Sequence, residues 1–170
     1  MSKAFTRESD DGEDRSIRLP TASTLPPGAK NYLTQRGADD LAQRLARLRE
    51  VDRPALASGR DDPDTKRQLR VLDARMAQIE SSLQTAVIVA KPSLPDGQVR
   101  FGATVTVRDR GAEVTRYRIV GVDEVDLERN WISWTSPIAK ALLNAVIGAK
   151  VHYRKPSGAE ELEILAIEYE

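Results

Sequence analysis

The sequence predicts an α+β protein: an N-terminal antiparallel helical coiled-coil hairpin, then a C-terminal antiparallel β domain with one short helix. Three observations predict it. Leu69, Leu72, Met76, Ile79 and Leu83 step by three, four, three and four, the period that holds an apolar seam against one partner helix. Ala38, Leu41, Leu45 and Leu48 follow the same steps upstream, and Gly59 with Pro63 breaks the pattern where the chain must reverse. Beyond residue 98 the apolar period falls to two.

Composition narrows the function classes. A chain of 170 residues, 40% apolar and 31% charged, suits a small soluble protein of one or two domains. Cysteine is absent, which excludes a disulfide framework and a thiolate metal site. His152 is the sole histidine and stands in a strand-like run, so it reads as a packing or surface residue, with no second imidazole for a zinc site or a His-based triad. The N-terminus shows no secretory h-region, and no apolar run approaches the roughly 20 residues that span a bilayer, so a cytoplasmic protein without a membrane partner is expected. Net charge is zero, and any nucleic-acid contact must rest on local patches.

Taken in order, residues 1–33 read as a mobile tail and lead-in, because acidic and small residues run into a Pro/Gly-rich stretch with little apolar surface to offset ordering entropy. The hairpin occupies 34–85. Thr34 is placed to cap its first helix, and Gly37 is a small cost close to that start. Val51 and Leu56 can prolong the seam, while Pro54 removes a helical hydrogen bond and predicts a kink or a fresh turn near Asp52-Arg53-Pro54. The turn Ser58-Gly59-Arg60-Asp61-Asp62-Pro63-Asp64 gives the hairpin an acidic tip. Aspartate also caps helices and favours turns, so Asp62 and Asp64 have a purely structural role open to them. Along the arms Arg44, Arg47, Arg67 and Arg70 are candidates for facing RNA phosphates, against the plainer reading of a solvated coiled-coil face.

A linker is expected over 86–97, where prolines and Gly97 mark a boundary, and the second domain over 98–170. Its strands are read from Val99-Phe101-Val105-Val107, from 114–122, from Trp131-Ile132-Ser133-Trp134, and from 150–155 and 161–169. Ser136 can cap a short helix with Pro137 at its first position. Trp131 and Trp134 lie three apart, which puts them on opposite faces of a strand, one for the core and one for contact.

Val99-Arg100-Phe101-Gly102-Ala103-Thr104-Val105-Thr106-Val107, then Tyr117-Arg118-Ile119-Val120-Gly121, then Ser136-Pro137-Ile138-Ala139-Lys140-Ala141-Leu142-Leu143 resemble, in that order, the C-terminal domain of the Gre transcript-cleavage factors. With the hairpin and the lead-in Leu25-Pro26-Pro27-Gly28, the resemblance covers roughly residues 25–170 and lies nearest the GreB branch. It implies a coiled coil that enters the secondary channel of bacterial RNA polymerase and an FKBP-like domain that holds the channel rim through Ser136, Pro137 and Ile138. It also implies an accessory factor with no cofactor of its own, and the chain is expected to be a monomer. In the family, tip acids help the polymerase hold a magnesium ion while backtracked RNA is cut.

Here the tip departs from the family pattern. Asp61-Asp62-Pro63-Asp64 stands where the family carries an acid followed by a Glu-Asn pair and an aromatic. The hairpin is also about a dozen residues shorter, close to one heptad per arm, which keeps the seam but withdraws the tip by roughly 10 Å. Either Asp61, Asp62 and Asp64 still reach the shared magnesium, or the protein occupies the channel as a modulator or inhibitor without stimulating cleavage. Two other classes are an FKBP-type prolyl isomerase, disfavoured by two Phe, two Trp and four Tyr, and a scaffold that dimerises through its coiled coil.

Overall fold

Residues 25–59, 62–92, 97–155 and 158–169 are described by a computed structural model. Residues 1–24 of the expected mobile tail and lead-in (1–33) lie outside them, as do Asp61 and residues 93–96 of the linker. The first arm of the hairpin comprises α1 (Gln35–Arg47), a π-helical turn (Leu48–Asp52) and α2 (Arg53–Ala57), and the second arm is α3 (Pro63–Thr85). Thr34 caps α1 as its sequence position predicts, its Oγ1 accepting the Gly37 N–H at 2.9 Å. The break expected near Pro54 is the π turn. Arg53 N–H bonds five residues back to the Leu48 carbonyl, and Pro54 follows directly in the first turn of α2.

The seam is closed within one chain. Leu41, Leu48 and Ile79 are buried, with Ala38, Leu45, Leu72, Met76 and Leu83 packed against them. Val51 does not prolong it: the wider π turn rotates the step from Leu48 off the seam, and Val51 is 58% exposed. Leu56 lines an open groove with Leu48, Val71 and Leu72 instead. Arg53 pairs with Asp73 at 2.7 Å, and Arg49 pairs with Glu80, so both ties cross between the arms.

At the base two short strands flank the hairpin. Residues 31–33, placed by sequence in the lead-in, and residues 86–89, placed in the linker, form two strands, β1 (Asn31–Thr34) and β2 (Ala86–Val89). They run parallel, Asn31 opposite Ala86 and Thr34 opposite Val89. Parallel strands need a long crossover, and the hairpin itself is that crossover. Asn31 Nδ2 donates to the Ser82 carbonyl and hydroxyl at 3.1 Å each, where α3 ends and the chain doubles back.

The second domain is a five-stranded sheet of β3 (Ala103–Asp109), β4 (Val114–Val120), β5 (Trp131–Ser133), β6 (Lys150–Lys155) and β7 (Gly158–Tyr169), in the order β5-β4-β3-β7-β6. Its one short helix is α4 (Pro137–Leu142). The sheet is mixed rather than wholly antiparallel, because β5 lies parallel to β4. Between them a 3-10 turn (Val122–Glu124) and a tight reversal bridged by Asp126 and Trp131 carry the chain back to start again in the same direction. Val105, Val107, Ile119 and Ile164 of the sheet meet Ala139 and Leu142 of α4 in the core, which gives the FKBP-like architecture.

Strand alternation in β1 joins the two domains. Leu33, 0% exposed, points into the hairpin cluster, while Tyr32 on the other face sets its ring 5.9 Å from Phe101 and 5.3 Å from Trp134. Leu33→Ala is expected to cost about 2–5 kcal/mol by leaving a cavity at the root of the hairpin, read as a lowered denaturation midpoint in chemical unfolding. A change below the lower bound would mean that the root can collapse around the smaller side chain.

Candidate functional site

The tip is built by a helix cap. Asp62, extended at φ −119° and ψ 165°, precedes Pro63 and accepts the Thr65 N–H on Oδ1 at 2.7 Å. Those N–H contacts hold its carboxyl below the ordinary 3.8, so it stays charged throughout the neutral range. Asp64 is exposed in the first turn of the same helix, where the macrodipole favours an anion. Asp61 lies outside the described residues. The structural role open to Asp62 is therefore occupied, with one carboxylate oxygen committed to the backbone.

Arg44, Arg47, Arg67 and Arg70 are all exposed, two on each arm. Arg47 lies 3.9 Å from Asp52, and Arg67 borders the groove beneath Leu56. Arg49 and Arg53 are instead paired across the arms, with Glu80 and Asp73.

In the sheet domain Ser136 Oγ accepts the Ala139 N–H at 3.2 Å, Pro137 stands exposed at the start of α4, and Ile138 is half-buried against the core. The approach to this segment is stiffened by Ser133 and Thr135, whose hydroxyls lie 2.7 Å apart while Thr135 N–H donates to Ser133 Oγ at 3.1 Å. Both tryptophans are half-buried. Trp134 packs on the core and on Tyr32; the Trp131 ring is faced by the guanidinium groups of Arg118, Arg129 and Arg36 at 5.0, 5.4 and 5.5 Å. His152 is on the surface, 3.6 Å from Glu161. Among the described residues no group of three or more His, Cys, Asp or Glu side chains could hold a metal ion.

Sequence reasoning missed the junction acids. Glu124 Oε2 accepts the Gly121 N–H at 2.9 Å and the Thr34 N–H at 3.0 Å, and its other oxygen takes the Thr34 hydroxyl proton. Asp123 accepts from the Ser82 hydroxyl on the second arm. The one sequence signal was Gly37, which counts only as a helix cost until its neighbour is known: a Cβ there would strike the Glu124 carboxylate.

Asp62→Ala is expected to lower the thermal midpoint of the hairpin at pH 7. Because the folded-state pKa is depressed, the stabilisation is present above 3.8 and disappears as pH falls through the lower folded-state value. Circular dichroism melts should therefore show wild type and variant converging in acid. A gap that persists there would assign the loss to something other than the charged cap.

A family model described as transcription elongation factor, GreA/GreB, C-terminal, matches residues 94–169. The transcription elongation factor GreB of Neisseria meningitidis serogroup B is 40% identical over 156 residues, spanning 82% of this chain and 94% of that protein. The transcription elongation factors GreA of Alkalilimnicola ehrlichii and of Legionella pneumophila are each 37% identical over 157 residues, covering 83% of this chain and 99% and 98% of theirs. Relatives of both names thus align across hairpin and sheet domain alike, and the chain belongs to the GreA/GreB family of transcription elongation factors.

Proposed function

We propose that the protein is a transcription elongation factor that binds bacterial RNA polymerase at its secondary channel and stimulates the polymerase's own cleavage of backtracked RNA. The observation that carries this is the position of the tip acids. Asp62 and Asp64 open a helix of 23 residues whose far end is fastened to the sheet domain, so about 34 Å of helical rise separates them from it. That is a carboxylate on a rod. The protein has no active site of its own to supply and acts through that of the polymerase.

The donor set fits a hard divalent cation, since Asp62 is held ionised and Asp64 is exposed. A polymerase magnesium ion supplies Lewis-acid stabilisation of the attacking and leaving oxygens. On this reading Asp61, Asp62 and Asp64 help hold it, Arg44, Arg47, Arg67 and Arg70 lie along nascent RNA phosphates, and Ser136, Pro137 and Ile138 grip the channel rim. The closed apolar seam supports action as a monomer, because Leu41, Leu48 and Ile79 already have partners within the chain. The aromatics Phe101, Tyr117 and Trp134 pack on the core, which speaks against an open prolyl-isomerase pocket built from them.

The test is RNA cleavage in a backtracked elongation complex with polymerase from the same source. The protein is expected to accelerate cleavage, and the Asp61→Asn, Asp62→Asn, Asp64→Asn triple variant to lose roughly 10- to 100-fold while still binding. Pro137→Ala should weaken binding instead. Binding without acceleration would replace this reading by that of a channel-occupying modulator, which the commitment of Asp62 to its cap and the short hairpin would then explain.

A further inference from the structure

An ordinary helix start closes with two reciprocal bonds: the cap side chain accepts from the third residue, and an acid at that third residue accepts from the cap's own N–H. In α1 the first bond is present, Thr34 Oγ1 with Gly37 N–H at 2.9 Å. The second cannot come from residue 37, which is glycine. It comes from Glu124, ninety residues away in the sheet domain, whose Oε2 accepts the Thr34 N–H at 3.0 Å. The space left by the missing side chain is the space its carboxylate fills, because a Cβ on Gly37 would collide with it. Gly121 completes the fit: its N–H bonds the same oxygen at 2.9 Å, and a Cβ there would collide with the Tyr32 carbonyl.

We propose that Asp123 and Glu124 form a two-pronged clasp that fixes the angle of the hairpin on the sheet domain, and that Glu124 is thereby a positioning residue for the tip carboxylates. Each prong takes one arm, Glu124 the start of α1 and Asp123 the Ser82 hydroxyl near the end of α3. Three hydrogen bonds to two arms, two from Thr34 and one from Ser82, hold the angle more narrowly than the tilted and edge-on ring contacts of Tyr32 with Phe101 and Trp134, since a hydrogen bond weakens steeply as it bends. Length makes the angle matter. A rotation of about 10° at the base of an arm about 34 Å long moves its tip by about 6 Å, more than twice the reach of a metal–oxygen bond. The functional half of this inference rests on the reading of the protein as a cleavage factor; the mechanical half does not.

The experiment measures both halves. The chain has no cysteine, so Ala57→Cys and Val114→Cys put spin labels at exposed positions on the hairpin and on the sheet. Electron–electron distance distributions are then compared in three backgrounds: wild type, Glu124→Ala, and Glu124→Ala with Gly37→Ala. The double variant returns helix propensity at residue 37, now that the carboxylate is gone, but provides no acceptor for Thr34 or Gly121. The expected result is a narrow distribution in wild type and a broad one in both variants, even where the double variant regains the wild-type melting temperature. Glu124→Gln, which keeps the length and one carbonyl acceptor, should restore most of the narrow population. In the cleavage assay both alanine variants should lose about tenfold or more in maximal rate with the half-saturating concentration unchanged, since the rim contacts are untouched. A narrow distribution in Glu124→Ala, or one regained with stability in the double variant, would overturn the clasp and leave a helix cap only. If wild type fails to accelerate cleavage, the cleavage reading falls while the distance data still decide the clasp.

Discussion

Everything in this molecule depends on how four residues of β1 divide between two faces. Asn31 and Leu33 look toward the hairpin, one satisfying the end of α3 and the other filling the root of the apolar seam. Tyr32 and Thr34 look toward the sheet domain, one meeting Phe101 at a tilt and Trp134 edge-on and the other bonding Glu124. A period of two cannot be slipped by one residue without exchanging these sets, which would bury Asn31's amide among the sheet aromatics and strand Leu33 outside the seam. The register of a single short strand therefore fixes where a long rod starts and which way it leaves.

The parallel pairing of β1 with β2 follows from the same constraint. Two helical arms of a hairpin would ordinarily end side by side and leave antiparallel chains. Here α3 runs on past the start of α1 until it reaches Asn31, and β2 turns back beside β1. The overrun brings Ser82 level with Asp123 while Thr34 sits at Glu124, so both arms present hydroxyls to adjacent acids of one 3-10 turn. Higher up, Arg49 with Glu80 and Arg53 with Asp73 replace apolar contact where the π turn has taken Val51 out of the seam. Such exposed pairs contribute little individually, and the register of the arms is carried mainly by Leu41, Leu48 and Ile79.

What was legible in the sequence was what short-range physics dictates. The seam, the Thr34 cap, the break before Pro54, the Ser136-Pro137 helix start and the alternating strands each follow from residues a few positions apart. The acidic residues of the turn were legible too, and so was the capping role that Asp62 takes at the start of α3. The junction was not, because its partners are far apart in the chain: Thr34 meets Glu124 and Ser82 meets Asp123 across 90 and 41 residues. The parallel placement of β5 and the exposure of Val51 were hidden for a related reason. Each turns on one local insertion, a reversal in one case and a wide helical turn in the other, that leaves composition and period unchanged.

The two ends of the rod call for different chemistry, and the sequence supplies it. At the base the acids have hydrogen-bond donors from both domains: Glu124 receives two backbone N–H groups and a hydroxyl, Asp123 a hydroxyl. At the tip Asp62 accepts the Thr65 N–H on one oxygen, and Asp64 is exposed at a helix start. A carboxylate that takes three donors, as Glu124 does, is a fastener, since every lone pair it spends on the protein is unavailable elsewhere. A carboxylate that spends one oxygen on a cap is oriented by that bond and kept anionic by it, while its charge still faces outward. Capping and metal support are thus compatible in Asp62, and the cap is what would hold its carboxylate still enough to serve.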